Sequence, residues 1–207
     1  MTKSKSQRKI IANGKRVITI EKNAIADLEK RFRNKDFMNH FAEAVEMIYK
    51  CKGKVVVTGI GKSGIIAQKI VATFNSTGTY SIFLHSSDSL HGDLGVMRKE
   101  DVVLIVSKSG DTEEIKQLIP NFKLLNIKII AMVGDADSEL AGLSDIVLDT
   151  SVKEEACPHN LAPTSSTTAA VVLGDALAVS LLQKREFTSE NFALFHPGGN
   201  LGKRLLL

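Results

Sequence analysis

The segment KVVVTGIGKSG, residues 54–64, is an apolar run that stops at a glycine-rich turn. Val55, Val56 and Val57 suit a strand covered on both faces. Gly59, Gly61 and Gly64 let the chain turn sharply and approach a ligand closely before a helix begins. Four further runs, YSIFLH, DVVLIVS, IKIIAMVG and DIVLDT, share this character and end in His, Ser, Gly and Thr. Helix-like segments at 63–74, 88–94, 112–125 and 138–141 separate them. Continuous apolar strands alternating with helices predict an α/β protein. The expected form is a three-layer α/β/α sandwich with a five-stranded parallel sheet in flavodoxin-like order.

The rest of the chain fits around that core as one domain, residues 13–207. Before it, Ile18, Ile20, Ile25 and Leu28 predict one helix, and Phe37, Phe41, Val45 and Ile48 a second, together spanning 13–50. Residues 1–12 read as a disordered basic tail. The first sixteen residues carry Lys3, Lys5, Arg8, Lys9, Lys15 and Arg16 and no acid, so the net charge of +4 leaves the body near neutral. The α/β core occupies 53–150. A polar loop leads to a C-terminal helical part, 163–207, whose long apolar helix contains Gly174; a glycine there implies close packing.

The composition, 43% hydrophobic and 24% charged, is that of a globular domain. No apolar run is expected to reach the roughly 20 residues of a membrane helix, and no secretory signal precedes the domain. A basic stripe with interleaved aromatics is missing, which disfavours nucleic acid. Two cysteines, Cys51 and Cys157, fit neither a zinc pattern nor a disulfide scaffold. The expectation is a cytoplasmic protein without membrane or nucleic-acid partners.

Two phosphate motifs compete for GIGKSG. A P-loop requires glycine six residues before the lysine, where this chain has Val56. The dinucleotide fingerprint is satisfied by Gly59, Gly61 and Gly64, but the second run ends in His85 with no acid to hold a ribose. Two hydroxyl-rich loops point elsewhere. SKSGDT offers Ser107, Ser109 and Thr112, and TSSTT offers Thr164, Ser165, Ser166 and Thr167, each where a helix begins. Either alone reads as ordinary N-capping. Both at strand ends of one sheet suit a compact phosphate monoester.

Together GIGKSG, STGT, HGDLG, SKSGDTEEI, KEEACPHNLAPTSSTTAAVVLGDALAV and FALFHPGGNLGKRLL resemble the sugar isomerase (SIS) domain of D-arabinose-5-phosphate isomerases, from about Lys52 onward. The resemblance implies interconversion of D-ribulose 5-phosphate and D-arabinose 5-phosphate for synthesis of Kdo in lipopolysaccharide or capsule. It also implies a homotetramer. Most members continue into paired cystathionine-β-synthase-type modules where this sequence stops, so feedback, for instance by CMP-Kdo, is expected at the active site. The alternatives are an isomerase of heptose or hexose phosphates, or a non-catalytic phosphosugar sensor.

Aldose–ketose isomerisation needs a base that moves a proton between C1 and C2, groups that stabilise the enediolate, and no redox cofactor. The resemblance implies catalytic roles for Lys62, Glu114, Glu155 and His196. Lys62 would face the sugar or its enediolate. Glu155 is the favoured base, its pKa raised by partial burial, with Glu114 the alternative. His196 would reach a neighbouring subunit's site. Gly61, Ser63, Gly78, Thr79 and His91 are expected to contact substrate. His85 could bind substrate or a loosely held zinc, which the chemistry does not require.

Overall fold

A computed structural model describes residues 4–197. Two helices come first, α1 (Lys5–Arg31) and α2 (Lys35–Lys50). Then strands and helices alternate: β1 (Val55–Gly59), α3 (Lys62–Ser76), β2 (Ser81–His85), α4 (Ser86–Ser89), β3 (Val102–Ser107), α5 (Glu113–Lys116), α6 (Ile119–Leu124), β4 (Lys128–Val133), α7 (Glu139–Leu143) and β5 (Ile146–Asp149). The long α8 (Ser165–Lys184) and the short α9 (Ser189–Phe195) follow. All five expected strands form one sheet in the order β2-β1-β3-β4-β5, with every pairing parallel.

The sheet is covered on both faces, which explains why its strands read as unbroken apolar runs. Val55, Val57, Leu104, Val106 and Met132 pack under α1, α2, α3 and α8 through Leu28, Ile48, Ile70, Phe74, Leu173 and Leu177. Val56, Val103, Ile105 and Ile129 pack on the other face against Ile115 of α5, Leu118 just before α6, Phe122 of α6 and Leu140 of α7.

Several boundaries differ from expectation. Residues 5–12 are helical, not a disordered tail. Ser4 and Gln7 form a capping box that closes the first turn, and Lys, Gln and Arg are good helix formers. The predicted helix at 112–125 is two, because Pro120 in the first turn of α6 cannot continue the hydrogen bonding of α5. The segment expected as a helix over 88–94 becomes α4 and a 3-10 turn at Asp93–Val96. Residues 1–3 and 198–207, the ends of the expected tail and C-terminal part, lie outside the described residues.

One helix does reach membrane-spanning length and hydropathy, contrary to the sequence expectation: α8, with mean hydropathy 1.5 over its window. It is the central helix of the covered face, in contact with α1, α2 and α3, and this packing accounts for its apolar composition. Gly174 lets it lie close to α3. A Cβ there would stand 2.5 Å from Ile70 Cγ1 and 2.7 Å from Cδ1.

Gly174→Ala should therefore destabilise the fold despite alanine's better helix propensity, by about 1–3 kcal/mol in thermal or urea denaturation. Combining it with Ile70→Ala should cost less than the sum of the two single changes, since the truncated side chain vacates the contested space.

Candidate active site

In a doubly wound sheet, ligands sit beyond the carboxyl ends of the strands where the chain order reverses. Here that point lies between β1, whose continuation runs outward to β2, and β3, which opens the other half. The turn after β1 is GIGKSG. Gly61 has φ +57°, a conformation side chains resist. Cβ atoms at Gly59 and Gly64 would come within 2.8 Å of the carbonyl oxygens of Val106 and Gly59. These glycines thus seat the start of α3 directly on the end of β1, beside Val106 of β3. Lys62, the first residue of α3, is exposed, and Ser63 behind it lines a narrow cleft.

The loop after β3 forms the facing wall. Ser107 Oγ accepts from Gly110 N at 3.1 Å and shares a hydrogen bond with Thr112 Oγ1 at 3.1 Å. Ser109 Oγ accepts from Asp111 N at 3.2 Å and is exposed. The loop is clasped to α7. A Cβ on Gly110 would fall 1.9 Å from Ser138 Oγ, and Leu140 N donates to Gly110 O at 3.1 Å. Lys116 Nζ bridges Asp111 at 2.7 Å, Glu139 at 3.0 Å and Glu113 at 3.1 Å. Its pKa is pushed up, chiefly by Asp111, then by Glu139 and Glu113.

The third wall is the start of α8, and Glu155 occupies it. Its Oε2 accepts from Thr164 N at 2.7 Å, Thr164 Oγ1 at 3.1 Å and Ser166 N at 3.3 Å. Its Oε1 accepts a short hydrogen bond from Ser166 Oγ and pairs with Lys108 Nζ at 2.8 Å. A helix N-terminus favours an anion, and the protein supplies one from its own loop. The Glu155 side chain is 1% exposed. Burial alone would raise its pKa, as expected from the sequence. The Lys108 ammonium, the Ser166 hydroxyl and the amides of Thr164 and Ser166 outweigh burial and hold it at about 2. The expected elevation is thus reversed. An acid this weakly basic, with its lone pairs engaged, is poorly suited to abstract a proton.

Of the expected substrate residues, Ser63, Ser107, Ser166 and Thr167 line one cleft over a floor that includes Val106 and Met132. Gly61 and Lys62 adjoin it through Ser63, and Thr112 through Ser107. Thr164 and Ser166 are engaged with Glu155, while Ser165 Oγ is buried without a partner and is not among the cleft's lining residues. Glu114 stands on the first turn of α5, half-buried, and makes no hydrogen bond or ion pair among the described residues.

Other expected residues lie apart. Gly78 and Thr79 precede β2 and sit at the amino end of the sheet. Gly78 packs under Phe187, with Cδ2 2.4 Å from where its Cβ would be, and Thr79 is buried. A family motif carries no information about which sheet end it occupies. His196, after α9, is at that same end: Phe195 stacks on Phe187, and His196 stacks on Phe192 with Nδ1 2.8 Å from Phe192 O. It does not join the cleft of its own chain. His85 and His91 are exposed, with His85 Nδ1 3.7 Å from Asp88 Oδ2. Two donors fall short of a zinc site, and no group of three or more metal-ligating side chains occurs among the described residues. The zinc suggested for His85 does not fit this arrangement.

Lys108 was not singled out from the sequence. The available signal was its position between two serines of a loop otherwise read for hydroxyls.

A family model for the SIS domain matches residues 47–180. The chain belongs to the SIS domain family. Within it, the chain is 50% identical over 194 residues to arabinose 5-phosphate isomerase KdsD of Escherichia coli K12, covering 94% of this chain and 58% of that protein. It is 50% identical over 197 residues to KdsD of Pseudomonas aeruginosa PAO1, covering 95% of this chain and 59% of that protein. The chain thus spans somewhat over half the length of these curated relatives. An Escherichia coli CFT073 protein solved in complex with arabinose 5-phosphate superposes with a TM-score of 0.85 at 39% identity, covering 92% of this SIS chain and 98% of that one.

Glu155→Ala should leave the Thr164 and Ser166 donors unmatched and destabilise the protein by about 2–3 kcal/mol at neutral pH. Because folding lowers the Glu155 pKa from 4.5 to about 2, its contribution is complete above 4.5 and is lost as pH falls toward 2. Urea denaturation from about pH 7 down to about pH 3 should show the gap between wild type and variant narrowing only below about pH 4.5.

Proposed function

We propose that this SIS domain is an aldose–ketose isomerase that interconverts D-ribulose 5-phosphate and D-arabinose 5-phosphate, its product entering Kdo synthesis. The observation that carries this reading is the cleft at the switch point. It has hydroxyls from separate segments and one lining cation, with Lys62 next to its Ser63 and Glu114 two residues beyond Thr112, which bonds its Ser107. The half-length identity to arabinose 5-phosphate isomerases supports the choice of pentose phosphate.

The chemistry follows from proton bookkeeping. A base takes the proton from C2 of the aldose as the C1 carbonyl oxygen gains one; the resulting enediol is reprotonated at C1 as its C2 hydroxyl gives up its proton, which leaves the C2 carbonyl of the ketose. Glu114 is our choice for the base. It is half-buried and uncommitted among the described residues, whereas Glu155 is held at about 2 by its donors. The Lys62 ammonium opposes the negative charge that develops on the enediolate oxygens. His196 serves the cleft of another subunit, which its place at the amino end of the sheet supports. Exposed Ile10, Ile18 and Val179 on α1 and α8 fit association into the homotetramer expected of the family.

Purified protein should turn over D-ribulose 5-phosphate and wash deuterium from solvent into C2 of the product. Glu114→Gln should slow both by about 100-fold or more. Glu155→Gln, if folded, should retain exchange. Loss of exchange in Glu155→Gln with exchange kept in Glu114→Gln would reverse the assignment. Mixed oligomers of Glu114→Gln and His196→Ala subunits should regain activity that neither parent shows.

A further inference from the structure

The cleft's lining residues include one charged side chain, Lys108, and its ammonium is placed on Glu155 at 2.8 Å. That pairing is lopsided in two ways. A carboxylate offers about four lone-pair sites. Four donors from the start of α8 reach it: the amides and hydroxyls of Thr164 and Ser166. Three of them converge on Oε2, and Lys108 shares Oε1 with Ser166 Oγ, so the carboxylate keeps four donors when the lysine leaves. The two side chains also differ in freedom. Glu155 is 1% exposed and locked on the helix, whereas Lys108 is 42% exposed on a flexible four-carbon stem. Lys108 is therefore the partner of the pair that can move, and Glu155 the one that stays.

A phosphate in this cleft would need such a cation. The α8 amides that would ordinarily receive it, at Thr164 and Ser166, are taken by Glu155. The remaining lining hydroxyls, those of Ser63, Ser107, Thr150 and Thr167, carry no charge. A dianion among neutral hydroxyls over an apolar floor is poorly compensated.

We propose that Lys108 is an exchangeable counter-ion: its ammonium rests on Glu155 and transfers to the phosphate group of a sugar phosphate seated in the cleft, while Glu155 stays on the first turn of α8. The transfer couples binding to the network without breaking it, because Glu155 keeps its four other donors. Lys108 is then a binding residue for the phosphate, separate from the groups that move the proton. This inference rests on the sugar-phosphate reading of the cleft, and the experiment separates the two.

Lys108→Met and Lys108→Arg are compared with wild type by isomerase kinetics with D-arabinose 5-phosphate and by calorimetric titration with inorganic phosphate. Lys108→Met should raise KM and weaken phosphate binding by about 10- to 100-fold, with kcat within about threefold of wild type. Lys108→Arg should recover most of the lost affinity, since it retains the charge. Unchanged KM and phosphate affinity in Lys108→Met would overturn the proposal, as would a fall in kcat at constant KM. A wild type that binds phosphate in a Lys108-dependent way yet isomerises no sugar phosphate would sink the isomerase reading and leave this inference standing.

Discussion

The carboxylate of Glu155 seated on the N-terminus of α8 is the constraint on which the site depends. A carboxylate buried there without donors would be costly, so the loop joining β5 to α8 must close on the helix end. With it, four hydrogen bonds from Thr164 and Ser166 draw the loop onto the first turn of the helix. The loop is tightened further by Glu155 N on Asn160 Oδ1 at 2.7 Å and Ala156 N on Thr164 Oγ1 at 2.8 Å. The cleft wall is therefore an electrostatic construction. A negative charge is buried because a helix terminus and two hydroxyls receive it, and its low pKa is the signature of that fit.

The opposite walls are held by different physics. The turn after β1 is close because Gly59 and Gly64 remove the side chains that would keep the start of α3 off the end of β1, and Gly59 also lies against Val106 of β3. The loop after β3 is fixed by the three-carboxylate grip on Lys116 and by the contact of Gly110 with Ser138. Steric economy, an ion-pair clasp and a capped helix thus meet at one switch point. Each is satisfied internally, so the hydroxyls and the lysines are presented on a prepared frame. Such preorganisation is what a site needs when the charge to be stabilised appears only during the reaction.

The sheet was legible because Val and Ile runs buried on both faces have no other stable arrangement, and the glycine turn located the switch point. Helix ends were less legible. Pro120 breaks a helix that periodicity alone continues, and a basic composition hid the capping box at Ser4 and Gln7 that starts α1. Of the site, the hydroxyl loops were readable by their position at strand ends. The state of Glu155 was not, since its pKa is decided by donors nine and eleven residues away and by Lys108 across the cleft. Gly78 and Thr79 show the complementary failure. Their motif is recognisable, but only the folded chain reveals that it lies at the far end of the sheet, under Phe187.

Helix α1 lies ahead of the segment, residues 47–180, that the family match covers. It is nonetheless tied to the site wall. Arg16 donates to Ala156 O at 3.0 Å, and Thr168 Oγ1 donates to Glu21 at 2.9 Å. Lys153 pairs with Asp27 at 2.7 Å, and Arg31 holds both Asp149 and Ser151. The residues that the family model matches and the unit that physics assembles are therefore not the same length. Trimming the chain to the matched residues would keep the strands and strip the brace from the loop that carries Glu155.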